Sequence, residues 1–308
     1  MSNLPRDVFI DTIYEFAKKD KDVYFMSADL GAKALDRFRE DLPKQFIHAG
    51  ISEQNMIDVA AGLAQCGKKV YVYAMTPFIT FRCYEQIKVV FGSMNLPVTI
   101  VGIGAGYSYD DAGPTHYAIE DISCMRVIPN IEILNPSDEA SIVAAAKLSY
   151  ENPKLRYLRI DRKYLPDVYK NENPLDGLTE IESGEKVLLC TNGYMFQKAV
   201  QVKDILNEKG INIGLVDIFQ IKPFNKTKLK EIVSKYEKVV ILEEHFLDGG
   251  LGSSVLEALS DSGVLVPTLR LGVVDKYLFD NGGRDYIHKL SGIDNETVVE
   301  KITQFVSE

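Results

Sequence analysis

The chain has 308 residues, enough for two ordinary domains, each with its own core. Its 46% hydrophobic content is that of a soluble globular protein, and a net charge of −9 with scattered Lys and Arg argues against a nucleic-acid surface while leaving room for a local basic pocket. No stretch reaches the roughly 18 apolar residues of a membrane span, and the opening MSNLPRDVF lacks a charged-then-apolar signal segment, so a cytoplasmic protein is expected.

Residues 6–19 read as an opening helix with Val8, Phe9, Ile13, Phe16 and Ala17 on one side. VYFMSADL, 23–30, reads as a strand ending at Ser27-Ala28-Asp29. Loops after strand C-termini build sites in open α/β sheets, so Asp29 is a candidate, with a simple loop or capping acid as the alternative. In FIHAGISEQNMIDVAAGL, 46–63, a buried strand ends at His48, Gly50 turns the chain, and Met56, Ile57, Val59, Ala60 and Leu63 form the apolar side of a helix. Ser52 is the expected cap and Glu53 a first-turn acid, pulled toward ionisation by the helix dipole and away from it by apolar neighbours. Its plain alternative is a Glu that only completes a helix start.

KKVYVYAM, 68–75, is a strand, and in the run 76–91 Phe78, Phe81 and Tyr84 recur every three residues, predicting one shared helical face. Such a stripe is usually core, although it also suits a flat heteroaromatic ring. LPVTIVGIGAG, 96–106, is a continuous apolar strand of the doubly covered parallel kind, with glycines as a tight exit. Gly113-Pro114-Thr115-His116 fixes a turn and presents a histidine at the lip of a helix expected near Ala118. A loop histidine is commonly a surface residue, but imidazole can also donate or accept near neutral pH. A strand and a helix capped at Ser137 follow, then a strand with Arg156, Arg159 and Arg162 toward its exit. These arginines either pair with surface acids or grip a phosphate or sulfonate.

From 167 to 185 the composition turns to Asn, Pro, Asp, Gly and Glu, the mark of a linker. Strands and helices then alternate to the end. The expected fold is therefore α/β in two domains, 1–166 and 186–308, each a mostly parallel sheet flanked by helices. Cys66, Cys83, Cys124 and Cys190 match no metal-ligand spacing, Cys66 and Cys83 reading as small buried hydrophobes, and four histidines are too scattered for a cage. No metal site is expected on this chain.

GISEQNM followed by AAGLA, the SADL string, the aromatic spacing and GPTH ahead of an acidic helix together resemble the pyrimidine-binding domain of thiamine-diphosphate enzymes of the transketolase family. The second half, with Lys222-Pro223 and Glu243-Glu244-His245 ahead of GGLG, resembles the transketolase C-terminal domain, and a structural role is expected for it. The resemblance implies that Glu53 is catalytic, hydrogen-bonding the N1′ nitrogen of the cofactor's aminopyrimidine, which requires a carboxyl held out of water. It implies that Phe78, Phe81 and Tyr84 wall that ring, Phe81 and Tyr84 above all, that Asp29 lies near the cofactor, and that His116 contacts the sugar. Arg162, Arg6 and Lys33 fall on substrate-phosphate positions, with Arg159 on the same strand exit. Two departures bear on the substrate: Ala112 stands where the family has Asp, and Gly104 where it has a second histidine.

The family holds the cofactor's diphosphate through Mg²⁺ on a Gly-Asp-Gly motif with a later Asn, and this chain has no Gly-Asp-Gly. The reading is the C-terminal subunit of a split, two-chain transketolase, a heterotetramer whose N-terminal subunit carries the Mg²⁺ ligands. It would move a two-carbon ketol unit from a phosphorylated or otherwise anionic ketose to an aldose. Alternatives are a specialised sugar transketolase, a deoxyxylulose-phosphate synthase-like enzyme, a 2-oxo acid dehydrogenase beta subunit, or a silent binding subunit that keeps the fold.

Overall fold

The strands of the first half are apolar along their whole length because helices cover both faces of the sheet they form. A computed structural model describes residues 4–170 and 173–308. In chain order its strands are β1 (Val23–Ala28), β2 (Phe46–Gly50), β3 (Lys69–Met75), β4 (Val98–Ile103), β5 (Glu132–Leu134), β6 (Arg156–Ile160), β7 (Thr179–Glu182), β8 (Val187–Thr191), β9 (Ile213–Asp217), β10 (Gln220–Lys222), β11 (Lys238–Phe246) and β12 (Thr268–Val273). The first sheet runs β10-β5-β6-β4-β3-β1-β2 and the second β12-β11-β8-β9-β7. All pairs are parallel except β10 with β5 and β7 with β9. The architecture is the two-domain α/β arrangement expected.

Alternation along β3 builds the core of the first domain. Val70 and Val72 face Met56, Ile57 and Ala60 of the helix Glu53–Gln65, whereas Tyr71 and Tyr73 face Phe9 and Ile13 of the helix Pro5–Ala17 and Ala145 of the helix Glu139–Glu151. Each large apolar side chain buried this way contributes about 1.5–3 kcal/mol. The layers fix where the strand ends point, and the loops at the C-terminal ends of β1, β2, β3 and β4 gather on one rim.

The halves are joined more closely than a linker implies. β10 leaves the second sheet's sequence to pair with β5, Gln220 opposite Leu134, and Lys222 Nζ donates to the carbonyls of Arg126 and Ile128 at 2.6 Å. The segment 167–185 carries a short 3-10 turn, Pro174–Asp176, and β7. A four-residue edge strand that alternates glutamate with Thr and Ile carries too little apolar signal to stand out in sequence.

Several local expectations differ from what is found. The run 76–91 is not one helix: it divides into Thr76–Thr80, Tyr84–Gln86 and a π-helix Ile87–Gly92, with Cys83 at φ −105° and ψ 11° breaking the continuity. Ser52 occupies the N-cap position but its hydroxyl donates to Ala49 O rather than capping. Asp138, not Ser137, caps the helix Glu139–Glu151, accepting from Ser141 N at 2.8 Å. The helix expected near Ala118 begins at Asp121, because Ala118 is held in a bridge with Gly106. Cys66 is exposed, whereas Cys83 is buried. Among the described residues no helix is long and apolar enough to cross a membrane.

Candidate functional site

Glu53 opens its helix at the C-terminal end of β2, and β1 pairs with β2 so that Ala28 meets Gly50. Asp29, exposed, therefore leaves the same sheet end beside the Glu53 turn. The Glu53 side chain is only 4% exposed, although it is an acid with apolar neighbours. A cation reaches it: Arg82 Nη1 donates to Oε2 at 2.9 Å. Together with Ile51, Ser52, Gln54, Asn55 and Asp58, this pair lines a cavity of about 410 Å³.

Arg82 links the acid to the aromatics. Its guanidinium lies 4.2 Å from the Phe78 ring centroid, and the Phe78 ring meets the His116 ring edge-on at 5.2 Å. His116 Nδ1 and Thr115 Oγ1 are 2.9 Å apart, and the Tyr109 ring lies 6.0 Å on the other side. Arg162 in turn covers the Tyr109 ring at 4.6 Å. The structure thus brings Glu53, Phe78, His116 and Arg162 into one file through Arg82 and Tyr109, neither of which the sequence reading singled out. A basic residue four positions after Phe78 in an aromatic run was the available signal for Arg82.

Arg6 joins at the far end. Burial raises the Tyr109 hydroxyl pKa, and Arg162 and then Arg6 pull it back, which sets both cations close to that ring. Asp7, whose carboxyl is raised by burial, also accepts from the Ala34 backbone, so the exposed Lys33 lies on the loop beside the same helix start.

Other candidates are not brought to this file. Arg159 is 5% exposed and paired inside the domain, donating to Asp121 Oδ2 at 2.8 Å and to Ala118 O at 2.6 Å. It sits on β6, between β5 and β4, where every position is buried. A cation there needs its own buried acid, and Asp121 supplies it. Tyr84 is half-buried, and its hydroxyl donates to Cys124 O at 3.1 Å. Phe81 is half-buried beyond the end of the helix Thr76–Thr80, no longer in register with Phe78.

The loop after β4 is pinned from the second domain. Gly106, at φ +58°, lets Glu244 approach so closely that a Cβ there would fall 1.7 Å from Glu244 Oε2. Tyr107 N donates to that carboxylate at 3.1 Å. Arg284, buried and 3.4 Å over the Tyr194 ring, donates to Glu244 Oε1 at 2.8 Å and Asp161 Oδ2 at 2.7 Å, and His288 Nε2 meets Glu244 Oε1. Ser108 Oγ bridges Asp161 and the Arg162 backbone. The cations hold the Glu244 carboxyl well below the usual carboxylate range in spite of its burial.

The chain is similar to known proteins along most of its length. Residues 5–167 match the family described as transketolase, pyrimidine binding domain, and residues 177–298 match transketolase, C-terminal domain. A subunit of the apulose-4-phosphate transketolase of Phocaeicola vulgatus is 32% identical over 98% of this chain and 97% of its own length. A 6-deoxy-6-sulfo-D-fructose transketolase subunit of a Clostridium species is 31% identical over 96% of this chain and 92% of its own length. Among solved structures, a split gene transketolase described as an inactive beta4 tetramer superposes with a TM-score of 0.87 at 29% identity, covering 98% of this chain and 97% of that one.

Proposed function

The chain belongs to the transketolase family, and from that premise we propose that it is the C-terminal subunit of a two-chain, thiamine-diphosphate-dependent enzyme that moves a two-carbon ketol unit from an anionic ketose to an aldose. The observation that carries this reading is Glu53, a carboxyl withdrawn from water at a helix start and opening on a cavity also lined by Arg82, whose guanidinium lies over the Phe78 ring.

When bound, thiamine diphosphate supplies the carbon nucleophile and the electron sink. The residues here fit its pyrimidine half. Glu53 can share a proton with a weakly basic ring nitrogen, Phe78 offers a face to a flat ring, and His116 can give a proton to, or take one from, a sugar oxygen. Arg162 and Arg6 suit an anionic terminus. The diphosphate and its Mg²⁺ call for the Gly-Asp-Gly motif with its later Asn, and this sequence has no Gly-Asp-Gly. That half of the site therefore falls to a second polypeptide. Ile51, 78% exposed beside Glu53, supports a covering chain there, as do relatives of this chain's length that are named as subunits. A heterotetramer of two copies of each chain follows from this reading.

Ketol transfer from xylulose 5-phosphate to ribose 5-phosphate, with Mg²⁺ and thiamine diphosphate, tests it. Activity is expected only when this chain is mixed with its diphosphate-binding partner, and Glu53→Gln in that mixture is expected to lose about a hundredfold or more. A Glu53→Gln enzyme that folds and keeps most of the rate sinks the assignment.

A further inference from the structure

Among the described residues, four polar atoms of the first domain are buried without a hydrogen-bond partner and lie together: Arg6 Nε, Asp7 Oδ1 and the hydroxyls of Tyr73 and Tyr109. Arg6 Nε is 3.8 Å from Asp7 Oδ1, and the two hydroxyls lie near guanidiniums, Tyr73 near Arg6 and Tyr109 near Arg162 and Arg6, groups that can only donate, so neither hydroxyl proton has an acceptor within hydrogen-bond reach. Polar groups taken out of water without partners cost stability, so a cluster of them marks a place where something else supplies the bonds. The set holds a cation, an acceptor and two hydroxyls able to do either, which matches a ligand with oxyanion and hydroxyl groups side by side.

Tyr109 has its place through Gly104. That glycine is at φ +95°, and a Cβ built on it falls 2.2 Å from Tyr109 Cε2, so any side chain at 104 would occupy the volume of the tyrosine ring. The ring, 7% exposed, has Arg162 over one side and His116 6.0 Å away.

We propose that Tyr109 is a substrate-contacting, specificity-determining residue: its ring walls the sugar between His116 and Arg162, and its hydroxyl, with that of Tyr73, donates to an oxygen of the substrate's anionic end, while Asp7 accepts from a neighbouring substrate hydroxyl. This rests on the reading of Arg162 and Arg6 as the anion-holding pair. The ligand is a polyhydroxylated oxyanion, and the fit is lost when either its charge or its hydroxyls are removed.

The test is calorimetric titration of the full chain, wild type, Tyr109→Phe and Arg162→Ala, with ribose 5-phosphate, ribose and inorganic phosphate, followed by donor KM and kcat in the two-chain mixture. Tyr109→Phe keeps the ring, so folding and the thermal midpoint stay near wild type. It is expected to weaken ribose 5-phosphate binding about tenfold and to raise donor KM by a like factor with kcat little changed. Ribose and inorganic phosphate alone are expected to bind more weakly than ribose 5-phosphate. If Arg162→Ala abolishes ribose 5-phosphate binding while Tyr109→Phe binds it as wild type does, the arginine reading stands and the role of Tyr109 is overturned. If wild type binds none of the three, the preformed site is overturned along with the arginine pair, and Glu53 is still judged by its own assay.

Discussion

Glu53 and Arg82 are the residues whose chemistry is most exposed to direct test. Their contact satisfies a buried carboxylate in the free chain, yet the same carboxyl is the group proposed to meet a ring nitrogen, so the arginine and the ring compete for it. Arg82 is 41% exposed along its side chain although Glu53 is buried, and a pair with one partner so open to water contributes about 1 kcal/mol, the upper end for surface pairs. Arg82→Met, which keeps an apolar contact with Phe78, is therefore expected to tighten thiamine diphosphate binding by roughly two- to fivefold in the two-chain mixture, read by calorimetry. Weaker binding would mean that Arg82 assists the ring rather than competing with it. Turn chemistry and strand exits made Glu53, His116 and Arg162 candidates with plain alternatives still open, and the family resemblance gave them their roles. The sequence could not mark Tyr109, because nothing in GAGYSYDDAGPTH says that the tyrosine ring folds back into the room at Gly104. Arg159 was drawn toward the site by its place beside Arg162, and the burial of β6 on both faces turns it inward to Asp121.

At the scale of elements, the order of the long strands and helices was legible because apolar periodicity survives without knowledge of tertiary contacts, whereas the short edge strands β7 and β10 and the breaks within 76–91 were not. Nor were caps, since they depend on which neighbour a short polar side chain finds. Asp138 illustrates this. It is 1% exposed and caps the helix Glu139–Glu151, but its Oδ2 also accepts from Val168 N at 2.9 Å and Tyr169 N at 2.8 Å, thirty residues on. Neighbouring Ser137, the expected cap, is free for another partner as a result. One carboxylate thus fixes a helix start and the exit from the first domain together. Asp138→Ala leaves three backbone N–H groups in the interior without that acceptor and is expected to cost about 3 kcal/mol or more, seen as a lower urea midpoint with an unchanged slope. A loss below about 1 kcal/mol would mean that water takes over these donors.

For the whole molecule, the decisive feature is how the two sheets are clamped, and here charge matters more than the sequence pattern showed. Besides Arg284 with Asp161 and Glu244, a second junction centres on Asp217 at the end of β9. Its carboxyl receives the hydroxyls of Ser137 from the first domain and Tyr169 from the connecting segment, with the like charge of Asp138 close by. Burial pushes its pKa up from 3.8 to about 7, more than the two hydroxyls and Asp138 alter it. The folded protein therefore binds this proton more tightly than the unfolded chain does. The contribution is whole below pH 3.8, falls as pH rises, and is gone once pH has passed about 7. Asp217→Asn accepts and donates at the same place without ionising. Its stability relative to wild type is expected to improve by on the order of 1.4 kcal/mol per pH unit from about pH 4 to 7 and then level off, measured by urea unfolding at a series of pH values. A difference that stays flat across that range would mean that Asp217 is already ionised in the folded state, and that the clamp between the domains tolerates a buried charge held by two hydroxyls.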